Sequence, residues 1–174
     1  YLEIKGFPHF NSFSISVNFK TNSLSGAMVS KHRQASYNSS FTIYNETSFG
    51  RAYITSESSN IYSVNSTFNI DDDKWHNLVA TYDLNKIKLY IDGVLVDETN
   101  ASENIKETDL DLLIGAWRNN LNNDYSKFFN GSLDEVAIWN RALEYNEINN
   151  LNYVNIPDVN FKQVLVNNTQ INTD

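Results

Sequence analysis

Asp73-Lys74-Trp75-His76-Asn77-Leu78-Val79-Ala80-Thr81-Tyr82-Asp83, followed by Ile87-Lys88-Leu89-Tyr90-Ile91-Asp92-Gly93-Val94-Leu95-Val96, holds two strand-like runs and a tight turn. Trp75 to Asp83 is rich in β-branched and aromatic residues, which suit a pleated, half-buried surface. Ile87, Leu89 and Ile91 alternate with Lys88 and Tyr90, the period of a strand with one face to a core and one to water. An Asp-Gly pair between two apolar runs is a strong short-range hairpin signal, because both turn residues must take positive φ. A β-hairpin is therefore expected at Asp92-Gly93.

The same texture extends to both sides. Phe13, Ile15, Val17 and Phe19 alternate with Ser14, Ser16, Asn18 and Lys20. Further strand-like runs are Ala27 to Lys31, Phe41 to Asn45, Arg51 to Thr55, Leu110 to Trp117 and Leu133 to Trp139, separated by Asn, Ser and Asp clusters. Many short strands at hairpin spacing predict an all-β fold, a two-sheet antiparallel jelly-roll sandwich. One short helix is expected near Leu143 to Tyr153, with Leu143, Ile148 and Leu151 on one face and Glu144 and Glu147 at its start. The texture changes at Asn155, so residues 1–154 are read as one domain and 155–174 as a linker or the start of a following module.

Composition narrows the function classes. The chain has 174 residues with 13 Lys+Arg against 21 Asp+Glu, a net charge of −8. That sign disfavours a general binder of nucleic acid or anionic membranes. No apolar run approaches the ~18 residues needed to span a bilayer. Cys is absent, which removes disulfides, thiol catalysis and Cys-ligated zinc. Asn is abundant while Gly numbers 6 and Pro 2, and Asn tolerates the left-handed backbone of tight turns. A first residue of Tyr rather than Met reads as a processed chain or a piece of a longer one.

The run from Asp73 to Asp83 with Lys88-Leu89-Tyr90-Ile91-Asp92-Gly93-Val94 resembles the central hairpin of laminin-G-like domains of the concanavalin A-like lectin superfamily. A second segment, Leu113-Ile114-Gly115 with Phe129-Asn130-Gly131-Ser132-Leu133-Asp134-Glu135-Val136-Ala137-Ile138-Trp139-Asn140-Arg141-Ala142-Leu143 and Glu147-Ile148, resembles the closing strand of that family and the helix after it. The resemblance implies a jelly roll that is usually extracellular or at the cell surface, appended to larger proteins. It fixes no ligand, since one fold hosts many functions. The tail from Ile156 to Asp174 resembles the start of some bacterial leucine-rich-repeat arrays, which implies a parent protein continuing into another module.

Catalysis finds little support in the residues. Glycosidases need two carboxylates about 5 to 9.5 Å apart, and no Glu-x-Asp-x-Glu run exists; Asp109 and Asp111 are spaced by two but read as a solvated strand entry. His9, His32 and His76 sit in no nucleophile or metal motif, and His76 reads as a packing or hydrogen-bonding residue beside Trp75. On a regular strand Asp134 shares a face with Val136 and Ile138, toward an apolar layer where an unpaired charge is costly. The resemblance implies a structural Ca²⁺ there, with Asp134 as a metal ligand; an ion pair with Arg141, or a bulge turning Asp134 to solvent, would meet the same need. Asp71-Asp72-Asp73 reads as a solvated turn or as oxygen ligands for a second cation.

Sugar recognition needs an aromatic face for ring C–H surface, with amides or carboxylates aimed at hydroxyls. Trp117, Asn119, Asn120, Asp124 and Tyr125, on the polar loop after Leu113, are the expected ligand contacts. Tyr37, Tyr44 and Tyr53 lie in positions that pave one sheet face, inner or outer. Sequons at Asn38, Asn45, Asn65, Asn100, Asn130 and Asn167 barely exceed the roughly four expected by chance for this composition. The expectation is a non-catalytic carbohydrate-binding or adhesion module, with a glycan partner; the alternative is a structural or protein-interaction module that binds no glycan.

Overall fold

The computed structural model describes residues 1–33, 39–119 and 124–151. Along the chain these form β1 (Leu2–Ile4), β2 (Phe13–Lys20), β3 (Ser25–Lys31), β4 (Phe41–Glu46), β5 (Phe49–Thr55), β6 (Ile61–Asn69), β7 (Trp75–Tyr82), β8 (Lys86–Ile91), β9 (Val94–Asn100), β10 (Leu112–Ile114), β11 (Trp117–Arg118), β12 (Tyr125–Ser126), β13 (Ser132–Trp139) and α1 (Tyr145–Leu151). Two antiparallel sheets face each other, one ordered β1-β10-β3-β4-β5-β6 and the other β13-β2-β7-β8-β9, with β11-β12 as a separate ribbon. The expected jelly-roll sandwich is present. The expected boundary at Asn155 and the tail lie outside the described residues. Among the described residues no helix is long and apolar enough to cross a membrane.

Period two builds the core. Phe13, Ile15, Val17 and Phe19 of β2 turn inward with Leu78, Ala80 and Tyr82 of β7 and Ile87, Leu89 and Ile91 of β8. They meet Val29, Phe41, Ile43, Ala52, Ile54 and Val64 of the facing sheet. Asp92 and Gly93 both take positive φ, 51° and 78°, as a right-twisted two-residue hairpin demands. Strand β6 escapes the sequence reading because only Val64 and Ser66 of its nine residues are buried; an edge strand needs no apolar stripe.

Two sequence expectations change in the tertiary structure. The outer face of β2 was expected to meet water, yet Ser14 is buried. Its hydroxyl donates to the Arg141 carbonyl at 3.0 Å and accepts the Leu143 N–H at 2.7 Å. Helix α1, which starts at Tyr145 rather than at the expected Leu143, covers this face with Ile148 and Leu151, and Leu143 just before it joins them on Val79, Tyr90 and Trp139. Its first turn is tied by Glu147, whose carboxylate accepts the Glu144 N–H at 2.9 Å, one half of a capping box.

The second change concerns Asp134. Strand β13 pairs regularly with β2 at Asp134↔Asn18 and again at Ala137↔Ser16, with a bulge between, and Glu135 takes φ 47°. A bulge shifts every side chain after it by one face. Val136 and Ile138 therefore pack on the main core while Asp134 is exposed, its Oδ1 accepting the Glu135 N–H at 2.8 Å. The predicted apolar setting of Asp134 is thus corrected, and the desolvation argument for a cation there loses its premise. Arg141, the alternative partner, forms a two-pronged pair with Glu147 instead.

Candidate functional site

Strands β4 and β5 direct Phe41, Ile43, Ala52 and Ile54 into the core, so alternation turns Thr42, Tyr44, Glu46, Arg51 and Tyr53 to the opposite face of the sheet. Register aligns Thr42 with Tyr53, Tyr44 with Arg51, and Ser25 with Glu46. Trp117 of the β11-β12 ribbon lies over this face, its ring centroid 4.7 Å from that of His32 and 5.9 Å from that of Tyr44. Tyr53 meets Tyr44 edge-on at 6.0 Å and His32 edge-on at 5.6 Å. Four rings, Trp117, His32, Tyr44 and Tyr53, form one aromatic shelf.

Polar contacts hold the shelf in place. The Tyr53 hydroxyl and His32 Nδ1 are 2.5 Å apart, and Ser39 Oγ is 2.8 Å from the same nitrogen. Burial pushes the His32 imidazole down to about 4 and holds the Tyr53 hydroxyl above the usual phenol range; both are neutral at pH 7. Trp117 Nε1 donates to Ser126 Oγ at 2.8 Å, satisfying the indole N–H as a covered Trp requires. Trp117 is only 8% exposed and serves as a wall, while Tyr44 and Tyr53 are half-buried.

Charged side chains border it. Arg51 Nη1 donates to Glu46 at 2.9 Å. Lys127 Nζ donates to Ser25 Oγ at 2.9 Å and stands 5.8 Å from the Trp117 ring centroid. Across the ribbon a separate cluster joins Arg118 to Glu3 and to Asp111, the latter at 3.1 Å. Asp111, expected to be solvated, is also the acceptor of the Gly6 N–H at 3.2 Å.

The expected contact set is split by the ribbon. Pairing of Trp117 with Ser126 and of Arg118 with Tyr125 puts Trp117 toward the shelf and Tyr125 on the other side, where it stacks on Tyr1 at 4.3 Å and donates to Glu3 at 3.1 Å. The Asn119 N–H donates to the Asp124 carbonyl at 2.6 Å, closing the ribbon loop, and Asp124 is exposed. Asn120 and Tyr37 lie outside the described residues. Sequence reasoning placed Tyr44 and Tyr53 on a sheet face without deciding which; it missed His32, Arg51, Glu46 and Lys127, which no local motif connects.

The acids considered as metal ligands find protein partners. Asp71 accepts from Ser48 at 2.7 Å, and Asp73 lies 3.8 Å from Lys20. His76 bridges Asp92 at 2.7 Å and Asp72 at 3.0 Å. Among the described residues no group of three or more acids or imidazoles is arranged to hold a metal ion. Asn45, the second sequon, is buried, and its Nδ2 donates to the Ser23 carbonyl, leaving no room for a glycan on that nitrogen.

Both nitrogens of His76 face carboxylates, which favours the doubly protonated ring. Burial works against the charge, but hydrogen bonds to Asp92 and Asp72 outweigh it and raise the pKa. A raised folded-state pKa gives stability that is full below the unfolded value of about 6.5 and is lost as pH rises through the folded value. The melting-temperature gap between wild type and His76→Gln is therefore expected to be widest near about pH 5 and to shrink above neutrality. Thermal unfolding of both proteins across pH measures it, and a gap that widens with pH would contradict the assignment.

A profile described as the concanavalin A-like lectin/glucanases superfamily matches residues 1–149. No curated protein matches the sequence significantly. Among solved structures, a heptameric SAP-like pentraxin of Limulus polyphemus superposes with TM-score 0.69 at 12% identity, covering 88% of this chain and 75% of that one. The CBM40 of a Ruminococcus gnavus IT-sialidase, bound to α2,3-sialyllactose, also gives 0.69 at 12% identity, covering 83% and 84%. The binding domain of botulinum neurotoxin DC, in complex with SialylT, gives 0.62 at 18% identity; this chain covers 35% of that one. At these identities the likeness is one of fold.

Proposed function

We propose, on the premise that the chain belongs to the concanavalin A-like lectin/glucanase superfamily, that it is a non-catalytic carbohydrate-binding module of a larger extracellular or cell-surface protein. The observation that carries this reading is the shelf of Trp117, His32, Tyr44 and Tyr53 on the sheet face turned away from the core. Aromatic rings offer flat apolar surface to the C–H face of a pyranose, and neighbouring polar groups orient its hydroxyls. Neutral His32 and Tyr53 suit that role of donor and acceptor better than acid–base work. The carbohydrate ligands of the CBM40 neighbour and its lectin-like fold point the same way. Asp124 and Asn119 at the ribbon tip stand as a second, outer set of contacts, with Asn120 between them in sequence.

The test is a broad glycan array with the wild type and with Tyr44→Ala, whose fold is checked by circular dichroism. Binding by the wild type that weakens about tenfold or more in the variant is expected, the effect of losing roughly 1.4 kcal/mol of contact. No binding on any glycan would replace this reading with that of a structural or protein-interaction module.

A further inference from the structure

We propose that the shelf takes a carboxylate-bearing sugar, with Arg51 and Lys127 as the residues that select it; this rests on the carbohydrate-binding reading above. Six side chains form a closed circuit at the Tyr44–Trp117 end of the shelf. Lys127 meets Ser25, Ser25 is in register with Glu46, Glu46 pairs with Arg51, Arg51 is in register with Tyr44, Tyr44 meets Trp117, and Trp117 lies beneath Lys127. This circuit holds two cations and one anion. The chain as a whole carries −8, so a locally positive rim runs against the general field, which repels anions. Such a rim can donate to the hydroxyls of any sugar, but it adds charge-assisted bonds only with an anionic one.

The two cations are placed to act together. Lys127 Nζ stands over the indole of Trp117, so a carboxylate drawn to its ammonium brings the attached sugar ring toward the half-buried Tyr44 beside that indole. Arg51 spends Nη1 on Glu46, and its buried Nε has no hydrogen-bond partner among the described residues. The Arg51 side chain is about a third exposed, 34%, and its guanidinium interacts with the Tyr44 hydroxyl at the edge of the shelf; guanidinium forks suit carboxylates geometrically. Arg118, by contrast, is committed to Glu3 and Asp111 on the far side of the ribbon and contributes little free charge.

Titration calorimetry with matched oligosaccharides tests this: sialylated and uronate-bearing glycans, the same glycans as carboxyl methyl esters, and sulfated neutral glycans. Expected is binding of the carboxylate forms that falls at least about tenfold on esterification and on either Arg51→Gln or Lys127→Met, and that weakens as salt is raised. The Arg51–Glu46 pair is partly exposed, so Arg51→Gln leaves the fold intact. If esters bind as well as acids and Tyr44→Ala abolishes both while Arg51→Gln abolishes neither, the carbohydrate reading stands and the acidic-sugar inference falls. Binding of sulfated glycans alone also overturns the carboxylate class. Binding of none overturns both readings.

Discussion

Gly131→Ala is expected to lower stability by roughly 2–4 kcal/mol, a fall in melting temperature of about 5–15 °C for a domain of this size. Gly131 has φ +155°, and a Cβ there would lie 2.2 Å from the Lys20 carbonyl oxygen and 2.9 Å from the Phe129 ring. Neither neighbour can yield freely. Lys20 is the last residue of β2 and pairs with Ser132 at the start of β13, and Thr21 Oγ1 donates to the Asn130 carbonyl at 2.6 Å beside it. Relief would require the first pairs of β13 to peel away from β2. Gly6 supplies the control: it also has positive φ, +63°, but nothing lies within 4 Å of its virtual Cβ, so Gly6→Ala should cost only the intrinsic left-handed penalty of about 1–2 kcal/mol. Thermal unfolding of the two variants checks the prediction, and a Gly131→Ala melting temperature equal to that of Gly6→Ala or higher would refute it.

Trp117→Ala is expected to remove glycan binding by more than about tenfold and to cost ~2–4 kcal/mol of stability. The indole is 8% exposed, packs on His32 and Tyr44, and lies beneath the Lys127 ammonium, so truncation leaves a gap beneath the ribbon and removes the ring that Lys127 stands over. The main core contains no atom of Trp117, and the sandwich should therefore stay folded while the ribbon loosens. Trp117→Phe separates packing from hydrogen bonding: it keeps a ring but leaves Ser126 Oγ without the indole donor, at a cost of about 1 kcal/mol. Retained affinity in a folded Trp117→Ala protein would move the binding surface away from the shelf.

The parts of the fold that the sequence made legible are those carried by local alternation. Phe13 to Phe19 and Ile87 to Ile91 announce their strands because each buries one complete face against the opposite sheet, and Asp92-Gly93 announces its turn because few residue pairs accept positive φ twice. Strand β6 was not legible, since its pairing with β5 rests on backbone bonds that any sequence makes. The bulge at Asp134 was not legible either. Its cause is a pairing slip between β13 and β2, with Asn18 Nδ2 donating to Glu135 Oε2 at 2.7 Å, a contact between residues far apart in the chain. Only Trp117 of the expected ligand set borders the shelf among the described residues, because ribbon pairing, invisible in a linear reading, turned Tyr125 to the other side.

What the sequence determined by itself is the kind of sandwich: period-two burial, turn chemistry and two ordered motifs admit an antiparallel jelly roll, and each is a property of neighbouring residues. Tertiary structure alone decided the site. His32, Tyr44, Arg51, Tyr53, Trp117 and Lys127 come from three strands, the residue after β3 and the residue after the ribbon, and no motif along the chain joins them. Strand order and register bring them together, and those are set by long-range hydrogen-bond pairing and by the closing of the core beneath, whose free energy belongs to the whole domain rather than to any segment.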